Sequence, residues 1–207
     1  MKARLPVQER GVRTKNRIIG AAKELFEEKG FHRTNSKEIA ARAGVAVGTF
    51  YSYYDEKKPL FLDVIRDYYR EVTAEAMSHL GASLTTLSVG DSGEVKKIIH
   101  EFVWALYRAH RISPGLHREI SAMMYGDPEV EMITREEERS IKSIIREILA
   151  GIRPKLAVKD LDAAVHLVHR TTEEAIHGLR IFDSDISDER VLGELEDMLY
   201  RYLFVKV

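Results

Sequence analysis

The chain has 207 residues, 44% of them apolar, so it can bury a sizeable core in one large domain or in a small domain joined to a larger one. The lack of cysteine excludes disulfides and zinc–thiolate sites. There is neither a run of 18 apolar residues nor an N-terminal apolar stretch of signal-peptide type, which favours a cytoplasmic protein that does not span a membrane.

The formal net charge of −1 conceals an uneven distribution of charge along the chain. Residues 1–60 contain 13 Lys and Arg against 7 Asp and Glu, whereas residues 61–207 contain 19 against 26. A basic N-terminal segment joined to an acidic remainder suggests that the segment meets a polyanion such as nucleic acid. A chance scatter of surface charge is the alternative interpretation of this pattern alone.

Apolar residues recur with helical periodicity along the whole chain, and strand-type alternation is scarce. The nine predicted helices lie over about 14–29, between Asn35 and Gly44, over 47–54, 56–80 and 94–110, from Pro114, from Pro128 to Arg153, and over 160–182 and 187–204. Residues 81–93 are predicted to be a loop. The fold class is therefore all-α, with a three-helix head, a linking fourth helix and a larger five-helix body.

Residues 36–58, SKEIAARAGVAVGTFYSYYDEKK, carry the most informative pattern. Ala40, Ala41 and Ala43 allow two helices to approach closely, and Gly44 permits a positive φ between them. Phe50 and Tyr54, four positions apart, would anchor the second helix to the first two. Such an arrangement is a helix-turn-helix, whose second helix is free to enter a major groove of DNA.

The other positions of this second helix have side chains suited to DNA contacts. Ala46 and Val47 can meet thymine methyl groups, and Gly48 lets the backbone come close. Thr49, Tyr51 and Tyr53 offer hydroxyls to phosphates or base edges. A core role for the tyrosines fits Tyr54, but Tyr51, Tyr53 and Tyr54 cannot all share one helix face. Lys57 begins the next helix, where its charge would add to the helix dipole beside a phosphate.

The run 18–62 resembles the DNA-binding domain of the TetR family of transcription regulators. The matching segments are AAKELFEEKGF, EIAARAGVAVGTFYSYY and KKPLF. Pro59 is a mild departure from the family pattern. The resemblance covers about the first quarter of the chain, and beyond it only the number and order of the helices fit the family.

The resemblance implies a DNA-binding domain over 1–55 and a ligand-binding and dimerisation domain over 56–207. The helix over 47–54 would be the recognition helix. Phosphate or minor-groove contacts would come from Thr34, Asn35, Lys37 and Arg13, with Arg10 and Arg4. The implied function is a homodimeric repressor that binds a palindromic double-stranded DNA operator and is released by an unknown small-molecule effector.

Two groups of side chains in the body are candidates for ligand binding. Large adaptable groups that suit an apolar pocket, or plain core, are His100, Trp104, Tyr107, Met123, Met124 and Tyr125. A polar stripe on the eighth helix contains His166, His169 and Glu173, whose spacing permits a metal site in principle. A dimer interface or a solvated face is favoured instead, with a polar pocket wall as a third possibility, so neither a metal nor a cofactor is expected.

The last two helices have apolar residues on more than one side, which favours one stripe on the chain's own body and another on a partner. On the ninth helix these residues are Leu192, Leu195 and Leu199, widened by Val191, Met198 and Tyr202. On the eighth helix they are Val168, Ala175 and Leu179, with Gly178 allowing close approach. The alternative is a well-buried C-terminal helix within one chain.

Two rival functions remain open from the sequence. One is an all-α enzyme or ligand-storage protein whose head only looks like a helix-turn-helix, although no Gly-rich phosphate loop, GxSxG or HExxH motif occurs. The other is an architectural DNA-binding protein without sequence preference, against which the acidic body argues.

Overall fold

The computed structural model describes residues 7–84, 92–181 and 185–204. Within these ranges the chain forms nine α-helices and a single 3-10 turn, with no strand, which confirms the all-α prediction. The helices are α1 (Val7–Lys29), α2 (Ser36–Arg42), α3 (Val47–Tyr51), α4 (Lys57–Leu84), α5 (Ser92–Ala109), α6 (Pro114–Met124), α7 (Pro128–Gly151), α8 (Leu161–Ile181) and α9 (Asp188–Phe204). The 3-10 turn, Arg153–Lys155, lies between α7 and α8.

Three helix boundaries differ from the prediction. α1 begins at Val7, about two turns before the predicted start, and α3 ends at Tyr51 instead of residue 54. α4 continues to Leu84. The glycine at position 81, which was expected to begin a loop, is therefore inside the helix, where glycine is less favourable than alanine but tolerated. The rest of the predicted 81–93 loop, up to the start of α5, lies at 85–91, outside the described residues.

The chain divides into two compact units. Unit 1 contains Met1–Tyr68 and Ser113–Ile133, and unit 2 contains Tyr69–Ile112 and Thr134–Val207. The basic head thus includes the first three turns of α4 and the whole of α6. This division differs from the expected domain boundary at residue 55. That expectation was based only on the local pattern of the first three helices.

Unit 1 is built around α1. Phe26 of α1 meets Phe61 edge-on with ring centroids 5.1 Å apart, and Phe31 lies 4.8 Å from Phe61. The N-terminus of α6 rests on α1, where the Glu27 carboxylate accepts the N–H groups of Gly115 and Leu116 at 2.9 and 2.6 Å. A carboxylate at this end of a helix satisfies amides that have no partner within the helix.

Unit 2 has its own core between α5, α8 and α9. Its fully buried side chains come from all three helices, Val103, Ala164, Ile176 and Leu192. None of the helices in the described part of the chain is both long and apolar enough to cross a bilayer.

Candidate functional site

The turn between α2 and α3 is fixed by Gly44 and by an arginine from α1. Gly44 has a φ of +63°, in the left-handed region that disfavours other residues. The Arg17 guanidinium donates to the main-chain oxygens of Ala43 and Gly44, the latter at 2.9 Å. A Cβ at position 44 would lie 2.7 Å from Arg17 Nη2, so the backbone favours glycine there and any side chain would displace the arginine. Arg17 carries no local sequence signal for this role.

The inner side of α3 is held by an aromatic residue and an ion pair. Phe50 is fully buried, and the Tyr54 hydroxyl donates to Asp63 Oδ2 of α4 at 2.9 Å. Lys15 of α1 reaches the same carboxylate oxygen at 2.9 Å. Burial and the neighbouring Asp63 carboxylate raise the pKa of Tyr54, so the phenol stays protonated and acts as a donor. The expected anchoring role of Phe50 and Tyr54 agrees with these contacts.

The outer side of α3 forms an exposed surface, here called the α3 face, composed of Ala46, Val47, Gly48 and Tyr51. Tyr51 is 48% exposed, and its hydroxyl lies 3.1 Å from Ser36 Oγ of α2. No described atom comes within 4 Å of the place where a Cβ on Gly48 would lie. The α3 face is therefore free to receive another molecule at backbone distance.

Thr49 and Tyr53 are less accessible than the α3 face. Both are half-buried. Tyr53 follows the end of α3 and lies against α1, where a Cβ on Gly11 would be 3.7 Å from its hydroxyl oxygen.

The start of α2 confirms the predicted capping box. Asn35 Oδ1 accepts the N–H groups of Lys37 and Glu38, each at 3.1 Å, and Glu38 Oε2 accepts the Asn35 N–H at 3.1 Å. Thr34 needs a correction, since its side chain is only 2% exposed and its hydroxyl donates to the Gly30 oxygen at 2.8 Å. That hydroxyl holds the loop before α2 and does not face a phosphate.

Lys57 also differs from its expected role. Its ammonium donates to the main-chain oxygens of Phe31 and Thr34 at 2.6 and 2.8 Å and lies 4.1 Å from the Phe31 ring centroid. Burial lowers the pKa of Lys57, and the charge of Glu119 acts in the opposite direction. The lysine therefore joins the start of α4 to the loop between α1 and α2.

Most cations of the basic head already have partners. Arg42 pairs with Glu24 and Glu28, Lys29 with Glu38, and Lys58 with Asp127 and Glu129. Arg10 also has an interaction of its own, and Arg4 lies outside the described residues. Among the described residues of unit 1, the exposed cations whose side chains have neither an ion pair nor a hydrogen bond are Arg13, Lys37 and Arg118. Arg13 and Lys37 are the two of these that the resemblance predicts to contact phosphates.

The aromatic residues of α5 contact α9. Trp104 Nε1 donates to Glu196 Oε1 at 3.0 Å, and His100 Nδ1 lies 3.0 Å from the same oxygen. Tyr107 donates to the Asp188 carboxylate. A role of His100, Trp104 and Tyr107 in ligand binding stays a prediction, and Met123 and Met124 are half-buried residues of the other unit.

The polar stripe of α8 is divided by burial. His166 is exposed, whereas His169 is 3% exposed and Glu173 is largely buried, so the expected stripe is not a single solvated face. Among the described residues, neither ring nitrogen of His169 nor the Thr172 hydroxyl has a hydrogen-bond partner. Burial lowers the pKa of His169, which favours its neutral form.

Glu173 lies between His177, which follows it on the same polar stripe of α8, and His110, which the sequence did not connect with it. Its Oε2 is 3.3 Å from His110 Nε2 and 3.2 Å from His177 Nε2. Although burial would raise the pKa of Glu173, the hydrogen bonds and charges of these two histidines hold it well below its usual value. His110 lies 63 positions away, directly after the end of α5, so no helical spacing indicates the contact.

The leucine stripe of α9 packs within its own chain, which corrects the predicted interface. Residues expected at the interface that are at most 4% exposed in the single chain are Val168, Leu192, Leu195 and Leu199. Ala175, Gly178 and Leu179 are half-buried. The large apolar side chains that remain accessible on the two helices are Leu167, Met198 and Tyr202, at 48%, 45% and 39% exposure.

Two family sequence profiles match the chain. The profile of bacterial regulatory proteins of the tetR family matches residues 18–64. The profile of the tetracyclin repressor-like C-terminal domain matches residues 94–203. Together they cover both the α2–α3 region and most of unit 2.

Individual proteins support the same assignment. The uncharacterized HTH-type transcriptional regulator YdgC of Bacillus subtilis is 32% identical over 66 residues, which are 32% of this chain and 34% of the relative, so the chain matches about a third of that relative's length. A Mesorhizobium loti protein assigned to the TetR-family transcriptional regulators has the same fold, with a TM-score of 0.71, 20% identity and coverage of 93% of this chain and 96% of that one. The fatty acid degradation regulator FadR of Bacillus halodurans also has the same fold, with a TM-score of 0.66 and 17% identity. The match covers 96% of this chain and 97% of that one.

Proposed function

The chain belongs to the TetR family of bacterial regulatory proteins, and from this premise we propose that it is a homodimeric transcription regulator that represses by occupying a palindromic DNA operator. The observation that carries the proposal is the α3 face, an exposed helix surface beside an unpaired cation on α2. Its partner would be chromosomal DNA, so we expect the protein in the cytoplasm.

In the proposed complex, α3 enters the major groove. Val47 and Ala46 offer methyl groups to thymine, and the hydroxyl of Tyr51 reaches a base edge or a phosphate. Gly48 places backbone close to the groove because it has no side chain there. Lys37, at the start of α2, and Arg13, on α1, neutralise phosphates on either side.

The two-fold partner would pack on the accessible side of α8 and α9. Leu167, Met198 and Tyr202 leave apolar surface exposed on both helices, and Gly178 allows a close approach. Such a pair forms an isologous interface, and its symmetry matches a palindromic operator with half-sites about 34 Å apart or a multiple of that distance.

Release by a small molecule is proposed to begin in unit 2. Buried polar groups normally have hydrogen-bond partners, and His169 and Thr172 are buried without one in the described part of the chain. A ligand with a hydroxyl or amide group would satisfy them. The effector is thus expected to combine apolar surface with a few hydrogen-bonding groups.

Selection of bound fragments from a random DNA pool, followed by affinity measurements at rising salt, tests the proposal. We expect a palindromic consensus bound by two chains, with a preference over random DNA of at least about 1,000-fold. Salt-sensitive binding without any consensus would indicate an architectural protein, and lack of binding would indicate a ligand-binding protein or an enzyme.

A further inference from the structure

The arginine that α1 places at the turn between α2 and α3 keeps an unbalanced charge. The Arg17 guanidinium is exposed, and both of its hydrogen bonds leave from Nη2, to the main-chain oxygens of Ala43 and Gly44. Among the described residues no carboxylate forms an ion pair with it. Because carbonyl oxygens accept hydrogen bonds without carrying a net charge, Arg17 retains its positive charge beside the turn.

A second arginine near the same turn differs in this respect. Arg42, the last residue of α2, donates through Nη1 to Glu24 and through both terminal nitrogens to Glu28, at 2.9–3.0 Å. A phosphate would have to compete with two carboxylates for Arg42. No such competition exists at Arg17 among the residues that the structure describes.

The Arg17 side chain is also held in place before any ligand arrives. Its Nη2 is bonded to the turn, whereas Nη1 and Nε have no hydrogen-bond partner in the described part of the chain. A guanidinium has five N–H groups, so three remain to donate. Each can form a charge-assisted hydrogen bond with a phosphate oxygen. A side chain that is already fixed loses less conformational entropy when it binds.

Arg17 is close in the chain to groups that are proposed to contact DNA. The turn that it holds ends two positions before Ala46, the first residue of the α3 face. Arg13 precedes it by one helical turn on α1, so the two arginines share one side of that helix. Both charges therefore belong to the edge of unit 1 that adjoins the α3 face.

We infer that Arg17 binds a DNA phosphate through Nη1 or Nε while Nη2 holds the turn between α2 and α3. This assignment rests on the proposed function, because the phosphate belongs to the backbone beside the groove that α3 enters. A single side chain would then position the recognition helix and add affinity for DNA of any sequence. The two roles differ in what they require, since the phosphate needs a charge and the turn needs only a donor.

Arg17→Gln and Arg17→Lys separate these roles. Both new side chains can donate to carbonyl oxygens, but only lysine carries a charge. Fluorescence anisotropy gives the affinity of the full-length variants for a labelled duplex of mixed sequence at rising salt, so the operator need not be known. Arg17→Gln is expected to reduce the slope of log affinity against log salt by about 0.9 for each bound chain, because one phosphate contact is lost. Arg17→Lys should keep the wild-type slope.

Arg118→Gln is the matched control. It removes an exposed arginine of the same unit whose side chain has neither an ion pair nor a hydrogen bond among the described residues, and it should also keep the wild-type slope. Far-UV circular dichroism verifies that the variants fold. A wild-type slope in folded Arg17→Gln, or an equal reduction in Arg118→Gln, would overturn the phosphate assignment.

The wild-type protein decides the question if Arg17→Gln does not fold. The Arg17 Nε–Hε signal in a nitrogen-15 NMR spectrum should shift when the duplex is added, and an unchanged signal would overturn the assignment. Failure of the proposed function has a different signature, because wild-type protein would then bind no duplex even at low salt. Wild-type binding together with an unchanged slope in Arg17→Gln would refute only the role of Arg17.

Discussion

Lys37 and Lys57 differ in what their ammonium groups contact. Lys37 extends from the first turn of α2 into solvent, whereas Lys57 donates to two carbonyl oxygens of the loop before α2. An ammonium with two protein acceptors has little left to offer a phosphate. The two lysines should therefore separate DNA affinity from stability of the head.

Lys37→Ala is expected to weaken binding to all DNA sequences alike and to lower the slope of log affinity against log salt by about 1, because one phosphate contact is lost. Lys57→Ala should lower the free energy of unfolding by about 1–3 kcal/mol, since two carbonyls lose a charged donor. Fluorescence anisotropy with labelled DNA and urea unfolding measure the two effects. Equal salt slopes for Lys37→Ala and wild type would contradict the phosphate assignment.

Tyr51 is expected to contribute to sequence preference. Tyr51→Ala should weaken operator binding by about 1–3 kcal/mol while random DNA binds nearly as before, because a contact to a base edge is lost. Tyr125→Ala, which removes a tyrosine that is 87% exposed at the end of α6, is the control and should leave both affinities unchanged. An unchanged operator affinity in folded Tyr51→Ala protein would refute α3 as the recognition helix.

Asp63 links stability of unit 1 to pH. Burial would raise its pKa, but the contacts with Lys15 and Tyr54 lower it below the ordinary value of 3.8. A depressed carboxyl pKa stabilises the folded state above that value, and the contribution disappears as the pH falls through the lowered pKa. Asp63→Asn should therefore cost roughly 1–2 kcal/mol at neutral pH and progressively less towards about pH 3.

Urea unfolding of wild type and Asp63→Asn over this pH range gives the measurement. Asp55→Asn, at an exposed carboxylate before α4, provides a matched control for changes in net charge. A cost of Asp63→Asn that stayed constant down to about pH 3 would show that its folded pKa is not involved.

At the scale of the secondary-structure elements, two glycines near the turn between α2 and α3 have different requirements. The positive φ of Gly44 favours glycine there, and a Cβ would displace the Arg17 side chain. Gly48 is inside α3 with an ordinary helical conformation, and the described residues leave its side-chain position open. Folding alone does not explain glycine at position 48, whereas the proposed close approach to DNA would account for it.

Gly48→Ala is expected to stabilise the head by about 0.5–1 kcal/mol, since alanine is the better helix former. The same variant should bind the operator at least about tenfold more weakly, if the added methyl group collides with the groove wall. Thermal unfolding and anisotropy titrations measure the two quantities. A variant that gained stability and kept full affinity would show that backbone at Gly48 does not approach DNA closely.

Gly44→Ala provides the opposite reference. It should destabilise the head by about 1–2 kcal/mol, because a left-handed alanine is strained and the Arg17 side chain must move. Its DNA binding should weaken through loss of the turn between α2 and α3.

Local signals in the sequence were sufficient for the number and order of the helices and for the turn between α2 and α3. The Asn35–Glu38 capping box, Gly44 and the spacing of Phe50 and Tyr54 each act within a few residues, so the pattern predicts them correctly. Contacts between distant residues were not predictable in this way. Lys57 with Phe31 and Glu173 with His110 depend on how helices pack, and no spacing along the chain encodes that.

The difference between local signals and long-range packing also explains why the interface residues on α9 were predicted wrongly. A wide apolar surface on a helix predicts two packing partners, but it does not tell which stripe faces the chain's own core. The structure assigns Leu192, Leu195 and Leu199 to that core, which leaves Met198 and Tyr202 as the accessible stripe.

For the whole molecule, dimerisation is tested at the accessible stripe. Met198→Glu should leave the monomer folded, because Met198 is 45% exposed, and should shift the protein to a monomer by placing charge in an apolar interface. Met132→Glu on α7, where the methionine is 50% exposed, is the matched control and should remain dimeric. Sedimentation at low micromolar concentration measures the mass, and a dimeric Met198→Glu protein would exclude this stripe from the interface.

The sole tryptophan of the chain, Trp104, lies in unit 2 with its indole bonded to Glu196. Selective excitation of the indole therefore reports on the environment between α5 and α9 and is insensitive to the tyrosines of the head. Circular dichroism, in contrast, follows the helices of both units. Coincident denaturation curves from the two signals would mean that the units lose structure in one cooperative transition, whereas separated curves would mean that the head unfolds as an independent domain.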